Sequence, residues 1–452
     1  MAVYSQKGVR CRRFCYSERR FLTGVMFFTT SALGQLRINT LKLAKYILMT
    51  AALNLSAVAF AETATPTPTP NPTPMPTPDP KPMPAAVPMA LPSPPQLAAK
   101  AYLLMDYNSG EILFGENTEE RLPPASLTKM MTSYVIGQEL KSGRIKPTDM
   151  VTISKNAWAK NYDDSSKMFI EVGKQVSVEN LNKGIIIQSG NDACIAMAEF
   201  IAGSEDSFVS LMNQWAPRLG MKDTHFMNAH GLYNPDHYST AHDMARLGQA
   251  LIRDLPNEYK IYSQKDFTFN GITQHNRNRL LWDKTLEVDG IKTGHVSEVG
   301  YNLVASAVQG NTRLISVVIG ANSEQERADD NKKLLTYGFR FYQNVEPYKA
   351  GAVLSTQRVW MGDKSEIRLG TDKDISLMVP RNVASKIKAE FQLDRELRAP
   401  IKQGEVVGSI FLRADGKDIA KYPLVALDTV DEGGIFSRLW DYLVLLFKQL
   451  LG

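Results

Sequence analysis

Pro123-Pro124-Ala125-Ser126-Leu127-Thr128-Lys129-Met130-Met131 is the stretch on which the reading of this 452-residue chain turns. The prolines break the backbone just before Ser126, and Leu127, Met130, Met131, Tyr134 and Val135 then recur at helical spacing. A helix is therefore expected to start at Ser126. Residues three apart share a helix face, so the Lys129 amine can approach the Ser126 hydroxyl. An alcohol is a poor nucleophile near neutral pH and needs a base. A lysine serves if burial or neighbouring charge holds it neutral. Free N–H groups at the helix start could also stabilise an oxyanion. Ser-x-x-Lys arises by chance in a chain of this size, so the pair needs support from elsewhere.

Two further stretches supply it. Ser189-Gly190-Asn191 follows the apolar run Ile185-Ile186-Ile187-Gln188 and reads as a loop. Its hydroxyl and carboxamide can face one cleft. Ser189 is then placed to relay a proton between Lys129 and a leaving group, and Asn191 to bind a substrate amide and steady Lys129. Lys292-Thr293-Gly294 follows Val288-Asp289-Gly290-Ile291 and precedes an apolar strand. A lysine and a threonine at a strand edge offer a charge and a hydroxyl to a carboxylate, and the glycine lets substrate backbone lie against the strand. Taken singly, each stretch is as readily a surface turn or an exposed edge.

Outward from these, Ala101–Tyr107 and Glu111–Phe114 flank Asn108-Ser109-Gly110 and predict a β-hairpin. Helical segments are expected around Ile185–Ala202 and Ala241–Ile252. Strands are expected at Tyr301–Val308 and Arg313–Gly320, joined by Gln309-Gly310-Asn311. The result is an α+β domain, a helical body on an antiparallel sheet, over residues 97–346. From 347 to 431 short alternating runs take over. Ile375, Leu377 and Val379 alternate with polar residues, as do Ile387, Ala389, Phe391 and Leu393. Asp415-Gly416 is a hairpin turn between Ile410–Leu412 and Ile419–Tyr422. That is a small all-β domain without a catalytic grouping. In residues 432–452, Ile435, Phe436, Leu439, Trp440, Leu443, Leu446, Phe447 and Leu450 form a broad apolar helix face. Arg438, Asp441, Lys448 and Gln449 gather opposite, interrupted by Leu445. This helix either docks on the β domain or, after a Gly433-Gly434 hinge, lies as an anchor on a membrane surface.

Of the 52 Lys/Arg and 47 Asp/Glu, nine and one fall within residues 1–61, leaving a remainder that is slightly acidic; nothing there suggests nucleic-acid binding. Residues 1–61 read as an export leader: Lys42 and Lys45, an apolar run from Tyr46 to Phe60, and Ala59-Phe60-Ala61 as cleavage pattern. The run is short for a membrane span, so a retained anchor is the lesser reading. The long basic stretch before it leaves Met26 open as an alternative start. Residues 62–96 are Thr/Pro-rich, and 14 of the 24 prolines lie between Pro66 and Pro95; such a segment is an extended spacer. Cys11 and Cys15 precede the cleavage pattern, leaving Cys194 in an apolar stretch as a small buried side chain, with no disulfide framework.

Together, Pro124-Ala125-Ser126-Leu127-Thr128-Lys129, Gln188-Ser189-Gly190-Asn191-Asp192-Ala193, His230-Gly231-Leu232 and Asp289-Gly290-Ile291-Lys292-Thr293-Gly294-His295 closely resemble the low-molecular-mass penicillin-binding proteins that are serine-type D-alanyl-D-alanine carboxypeptidases, the penicillin-binding protein 5/6 type. The resemblance spans residues 97–452; the Thr/Pro segment falls outside it. It implies a penicillin-binding/serine β-lactamase-like transpeptidase domain, then the small β domain and the amphipathic helix. It further implies an enzyme that removes the terminal D-alanine from peptidoglycan stem pentapeptides and is acylated by β-lactam antibiotics. It needs no cofactor and no metal. The expected location is periplasmic, on the outer face of the cytoplasmic membrane through the C-terminal helix. Carried over, Ser126 forms the acyl-enzyme and Lys129 takes its proton, with Ser189 and Asn191 completing the relay. Lys292 and Thr293, with Gly294 beside them, bind the terminal carboxylate, helped by Arg327. The N–H groups of Ser126 and His295 form the oxyanion hole. Gly184 and the segment Asp163–Lys167 match loops that affect deacylation.

Efficient β-lactam hydrolysis is not expected, because Glu179 and Asn182 precede Ser189 and Thr224–Asn234 contains no glutamate. A D,D-endopeptidase acting on cross-links is the nearest alternative, and a non-catalytic envelope scaffold the next. Lys292 and Arg327 suit a free carboxylate, and a scaffold has no use for Lys129. The six histidines, His225, His230, His237, His242, His275 and His295, show no His-Glu-x-x-His pair, which speaks against a zinc peptidase.

Overall fold

Strand β1 (Ala101–Asp106) is buried along its whole length. Its odd-numbered residues Leu103 and Met105 join one core with the helices, and Tyr102 and Leu104 join a second core on the opposite face of the sheet. Cover on both faces explains why the strand reads as a continuous apolar run rather than an alternation. The computed structural model describes residues 91–162 and 164–451. The leader, the linker up to residue 90, Asp163, Gly452 and the side chains of Gln449, Leu450 and Leu451 lie outside the described residues.

A turn joins β1 to β2 (Ile112–Glu116): Ser109 donates through N and Oγ to Asp106 Oδ2 (2.8 and 2.7 Å), and Gly110 takes φ +72°. The body follows as α1 (Thr128–Lys141), α2 (Val178–Ile186), α3 (Asn191–Ala202), α4 (Glu205–Arg218) and α5 (Ala241–Asp254). The segment expected to be helical around 185–202 is two helices, parted at Ile187–Gly190, where Ser189 adopts φ +59°. Strands β3 (Glu287–Val296), β4 (Gly300–Gln309) and β5 (Thr312–Ala321) complete an antiparallel sheet of order β2-β1-β5-β4-β3. β3, which carries Lys292-Thr293-Gly294, is an edge strand. Helix α6 (Glu324–Phe341) packs Leu334 and Leu335 on the second face. Cys194 is unpaired and buried, and burial pushes its thiol up to about 12.

At the end of α6 the chain passes into β6 (Tyr342–Tyr348), which crosses the expected boundary at 347. The sequence continues with β7 (Val353–Arg358), β8 (Glu366–Gly370), β9 (Ile375–Pro380), β10 (Lys388–Leu393), β11 (Val406–Ala414) and β12 (Lys417–Ala426). β6 pairs with β9, and the others form a sheet of order β7-β8-β12-β11-β10. Asp415 (φ +49°) and Gly416 (φ +75°) make the hairpin turn. Ile410, Leu412, Ile367, Leu369 and Leu424 fill its core. The alternation at 386–393 yields the edge strand β10, whose Phe391 stays exposed.

Helix α7 (Ile435–Leu451) is docked, the first of the two alternatives posed by its sequence, yet its apolar face is left uncovered. It docks on the β domain, but through its narrow polar face. Asp441 Oδ2 accepts from Met361 N (2.7 Å) and Oδ1 lies 3.4 Å from Arg358. Lys448 sits 5.2 Å from the Trp360 ring centroid, and Leu445, which interrupts that face, is 6% exposed. The broad face is open: Phe436 is 89% and Trp440 68% exposed. Gly433 is no free hinge, for its N–H donates to Met361 O (2.8 Å) and an added Cβ would lie 2.4 Å from Gly362 O.

Candidate active site

After Pro124, Ala125 takes φ +53° and opens a 3-10 turn over Ala125–Leu127 that runs into α1. Asn302 on β4 pins this turn, donating to the carbonyls of Pro123 and Pro124 (3.3 Å each) while accepting from Gly320 N (2.9 Å). The non-glycine residues next to Ser126 and at Ser189 thus both sit in left-handed backbone, strain that concentrates at functional sites.

Helix α1 is buried on nearly all sides, so its polar side chains find partners inside. Thr128 Oγ1 is 2.8 Å from His237 Nε2, and Thr132 Oγ1 donates to Ala229 O (2.5 Å). Lys129 Nζ donates to Ser126 Oγ (3.0 Å) and to His230 O (2.5 Å). Burial, assisted by the Arg277 charge, pulls its ammonium down to about 8, against opposing influences from Cys194 and Asp192. Lys292 Nζ donates to Ser189 Oγ (3.1 Å) and to Thr293 O (3.2 Å). Burial and repulsion from Lys129 hold Lys292 well below the ordinary lysine range.

Ser189, the hydroxyl expected to relay a proton from Lys129, accepts from Lys292. The Asn191 carboxamide donates to Ser165 Oγ (2.9 Å), and Asn191 N donates to Ser166 O (2.9 Å). Asn191 is the first residue of α3, so its partners come from the 164–170 segment laid across that helix start. Asp192 holds the segment from below, accepting from Met168 N (2.8 Å) and Ile170 N (3.2 Å). Gly184 lies beneath it as well: a Cβ there would come within 2.2 Å of Met168 Sδ.

On the opposite wall Arg327, buried, donates to Gly294 O (3.1 Å) and lies over the Tyr301 ring (5.5 Å). Burial, offset in part by Glu324, pulls it down to about 10. The exposed His295 ring stacks on Tyr301 with centroids 4.2 Å apart. Gly294 lets β3 approach the Ser126 turn, since a Cβ would meet Pro124 O at 3.0 Å and Ser126 N at 3.2 Å. Ser126, Ser189, Asn191, Thr293, Gly294, His295 and Arg327 all line one cleft of about 710 Å³. Lys129 and Lys292 lie behind its lining and reach it through the hydroxyls they donate to. Ser165, a cleft residue, falls in the Asp163–Lys167 segment that the sequence singles out, whereas sequence reasoning missed Arg277, which also lines the cleft and donates to Ser166 Oγ (2.6 Å), and Asp192. Only the Asn191-Asp192 adjacency offered a local signal for either missed residue. Among the described residues no group of three His, Cys, Asp or Glu side chains converges as a metal-ligand set.

A helical body on an antiparallel sheet with this cleft at the sheet edge, followed by a small β domain, is the architecture of penicillin-binding, transpeptidase-like proteins. Residues 89–323 match the D-alanyl-D-alanine carboxypeptidase family, and residues 342–432 match the C-terminal domain of penicillin-binding protein 5. The chain belongs to the D-alanyl-D-alanine carboxypeptidase family. It is 53% identical to D-alanyl-D-alanine carboxypeptidase DacC of Escherichia coli over 362 residues, 79% of this chain and 90% of that one. It is 52% identical to DacA of the same organism over 366 residues, 80% and 91% respectively. The crystal structure of penicillin binding protein 5 from Haemophilus influenzae superposes with a TM-score of 0.73 at 52% identity, covering 75% of this chain and 99% of that one.

Proposed function

We propose that this carboxypeptidase removes the terminal D-alanine of peptidoglycan stem pentapeptides through an acyl-Ser126 intermediate. The observation that carries the reading is the Lys129–Ser126 contact, with Lys129 drawn toward neutrality by burial. Neutral Lys129 takes the Ser126 proton as Oγ attacks the carbonyl of the penultimate residue. The N–H groups of Ser126 and His295 receive the oxyanion. The proton passes by way of Ser189 to the leaving amine, the C–N bond breaks, and D-alanine departs. Lys129 then deprotonates a water that attacks the ester carbonyl, and as the bond to Oγ breaks Lys129 returns the proton to Ser126. Lys292, Thr293 and Arg327 receive the terminal carboxylate, which favours a free D-alanine end over a cross-link. Penicillins enter by the same acylation.

Intact-mass analysis after exposure to benzylpenicillin should show one adduct, mapping to the peptide that contains Ser126; an adduct elsewhere overturns the mechanism. Pentapeptide offered beside a cross-linked dimer should be the faster substrate. Gly294→Ala is expected to lower the acylation rate by about a hundredfold, because its Cβ displaces β3 from the Ser126 N–H. Stopped-flow acylation with a parallel melting curve checks this.

The open face of α7 supports attachment to a membrane surface. No helix of the described residues is long and apolar enough to cross a membrane. Together with the leader, that open face supports a periplasmic enzyme held on the outer face of the cytoplasmic membrane. From Arg327 at the cleft, α6 runs about 22 Å to Phe341, where the β domain begins.

A further inference from the structure

The His230 carbonyl that accepts from Lys129 belongs to a turn held from outside the cleft. Glu205, in the first turn of α4, accepts from Ala229 N (2.9 Å). The Ala229 carbonyl accepts from Thr132, one position short of a helical turn beyond Lys129. His230 Nδ1 accepts from Leu232 N (3.2 Å), which leaves the ring proton on Nε2, 3.5 Å from Glu205 Oε1. Asn228 Oδ1 accepts from Gly231 N (2.6 Å). Gly231 (φ +86°) presses on the Ser126 turn so closely that a Cβ would fall 2.0 Å from Ala125 O. Any shift of residues 228–232 therefore reaches both the Lys129 amine and the backbone that carries Ser126. Glu205 does not line the cleft.

We propose that Glu205 is a positioning residue for the acyl transfer, locking the 228–232 turn so that the His230 carbonyl receives the ammonium formed when Lys129 takes the Ser126 proton. The inference rests on Lys129 being the base. Charge develops on Lys129 during that step in a buried site, so a fixed acceptor at 2.5 Å stabilises it only if the acceptor does not have to reorganise. Ala229 N–H needs an acceptor at Glu205 rather than a charge, and an amide oxygen provides one.

The test is the acylation rate constant with a penicillin, measured on the full chain with melting curves. Glu205→Ala should slow acylation roughly ten- to a hundredfold, the cost of a small misplacement near the reacting atoms. Glu205→Gln, which keeps the oxygen acceptor, should restore most of it. Asn213→Ala is the control, because Asn213 holds Phe226 N and O (2.9 and 2.8 Å) in the same segment without touching residues 228–232. It should lower stability and leave acylation unchanged. Glu205→Ala acylating at the parent rate overturns the proposal, as does Asn213→Ala slowing acylation equally. Lys129→Met, run beside them, separates the two levels. Normal acylation there overturns Lys129 as base, whereas slow acylation there with an unaffected Glu205→Ala overturns only the role of Glu205.

Discussion

Lys129→Met is expected to slow acylation of Ser126 by about a thousandfold, within the range a positioned general base contributes. Methionine is unbranched and reaches as far as the lysine Cε, so the change removes the amine and little else. The Ser126 hydroxyl then has no base, while Lys292 still donates to Ser189. The melting midpoint at neutral pH is not expected to fall, because a buried amine whose ammonium is disfavoured by desolvation is replaced by a group at ease in an apolar site. A fall of several degrees, or acylation within tenfold of the parent, would contradict the assignment.

The same burial sets the pH dependence. Lys129 titrates at about 8, so acylation should rise with pH up to that region and level off above it, and Lys129→Met should lose that limb. The linkage runs in the same direction. Between about 8 and the ordinary lysine value of 10.5 the unfolded chain holds a proton that the folded Lys129 has released, so stability should climb with pH across that window. Lys129→Met should flatten the climb in thermal melts. The neighbouring Lys292 is pushed in the same direction mainly by burial, so its own share of the slope persists in the variant, reduced by the lost repulsion from Lys129.

What the sequence made legible was local. The Ser126–Lys129 pair depends on helical spacing alone, and the turn residues at 109–110 and 415–416 name their own geometry. Lys292, Thr293 and Gly294 read in the sequence as preceding a strand, whereas they lie within a strand of their own, β3, at the edge of the sheet. Arg277 and Glu205 carried no such signal. Arg277 lies in a polar stretch, Gln274-His275-Asn276-Arg277-Asn278, with no periodicity, and meets Ser166 only because the fold brings residues 111 positions apart together. Glu205 reads as an ordinary acidic residue in a helix first turn, which it also is. Ser189 was legible as a loop residue, but its partner was not: side-chain pairing between α2–α3 and β3 is a property of packing rather than spacing.

Removing residues 435–452 is expected to lower partitioning onto phosphatidylethanolamine/phosphatidylglycerol vesicles by at least a hundredfold. Ile435, Phe436, Leu439, Trp440, Leu443, Leu446 and Phe447 are all exposed on one face of α7. Full burial of such a side chain is worth about 1.5–3 kcal/mol, so even partial insertion of the set exceeds the few kcal/mol that a hundredfold represents. The polar face is already engaged: Asp441 with Met361 N and Arg358, Lys448 over Trp360. Membrane contact therefore need not unseat the helix. Two substitutions separate the faces. Phe436→Glu with Trp440→Glu should reproduce the deletion, because both side chains sit where lipid would be. Asp441→Ala should leave partitioning within about twofold, because the group it removes faces the β domain and a surface ion pair of this kind contributes little to affinity. Sedimentation with vesicles distinguishes the cases. If the chain lacking residues 435–452 still sediments, attachment resides in the N-terminal segment; if Asp441→Ala alone releases it, the docked geometry rather than the apolar face holds the protein to the membrane.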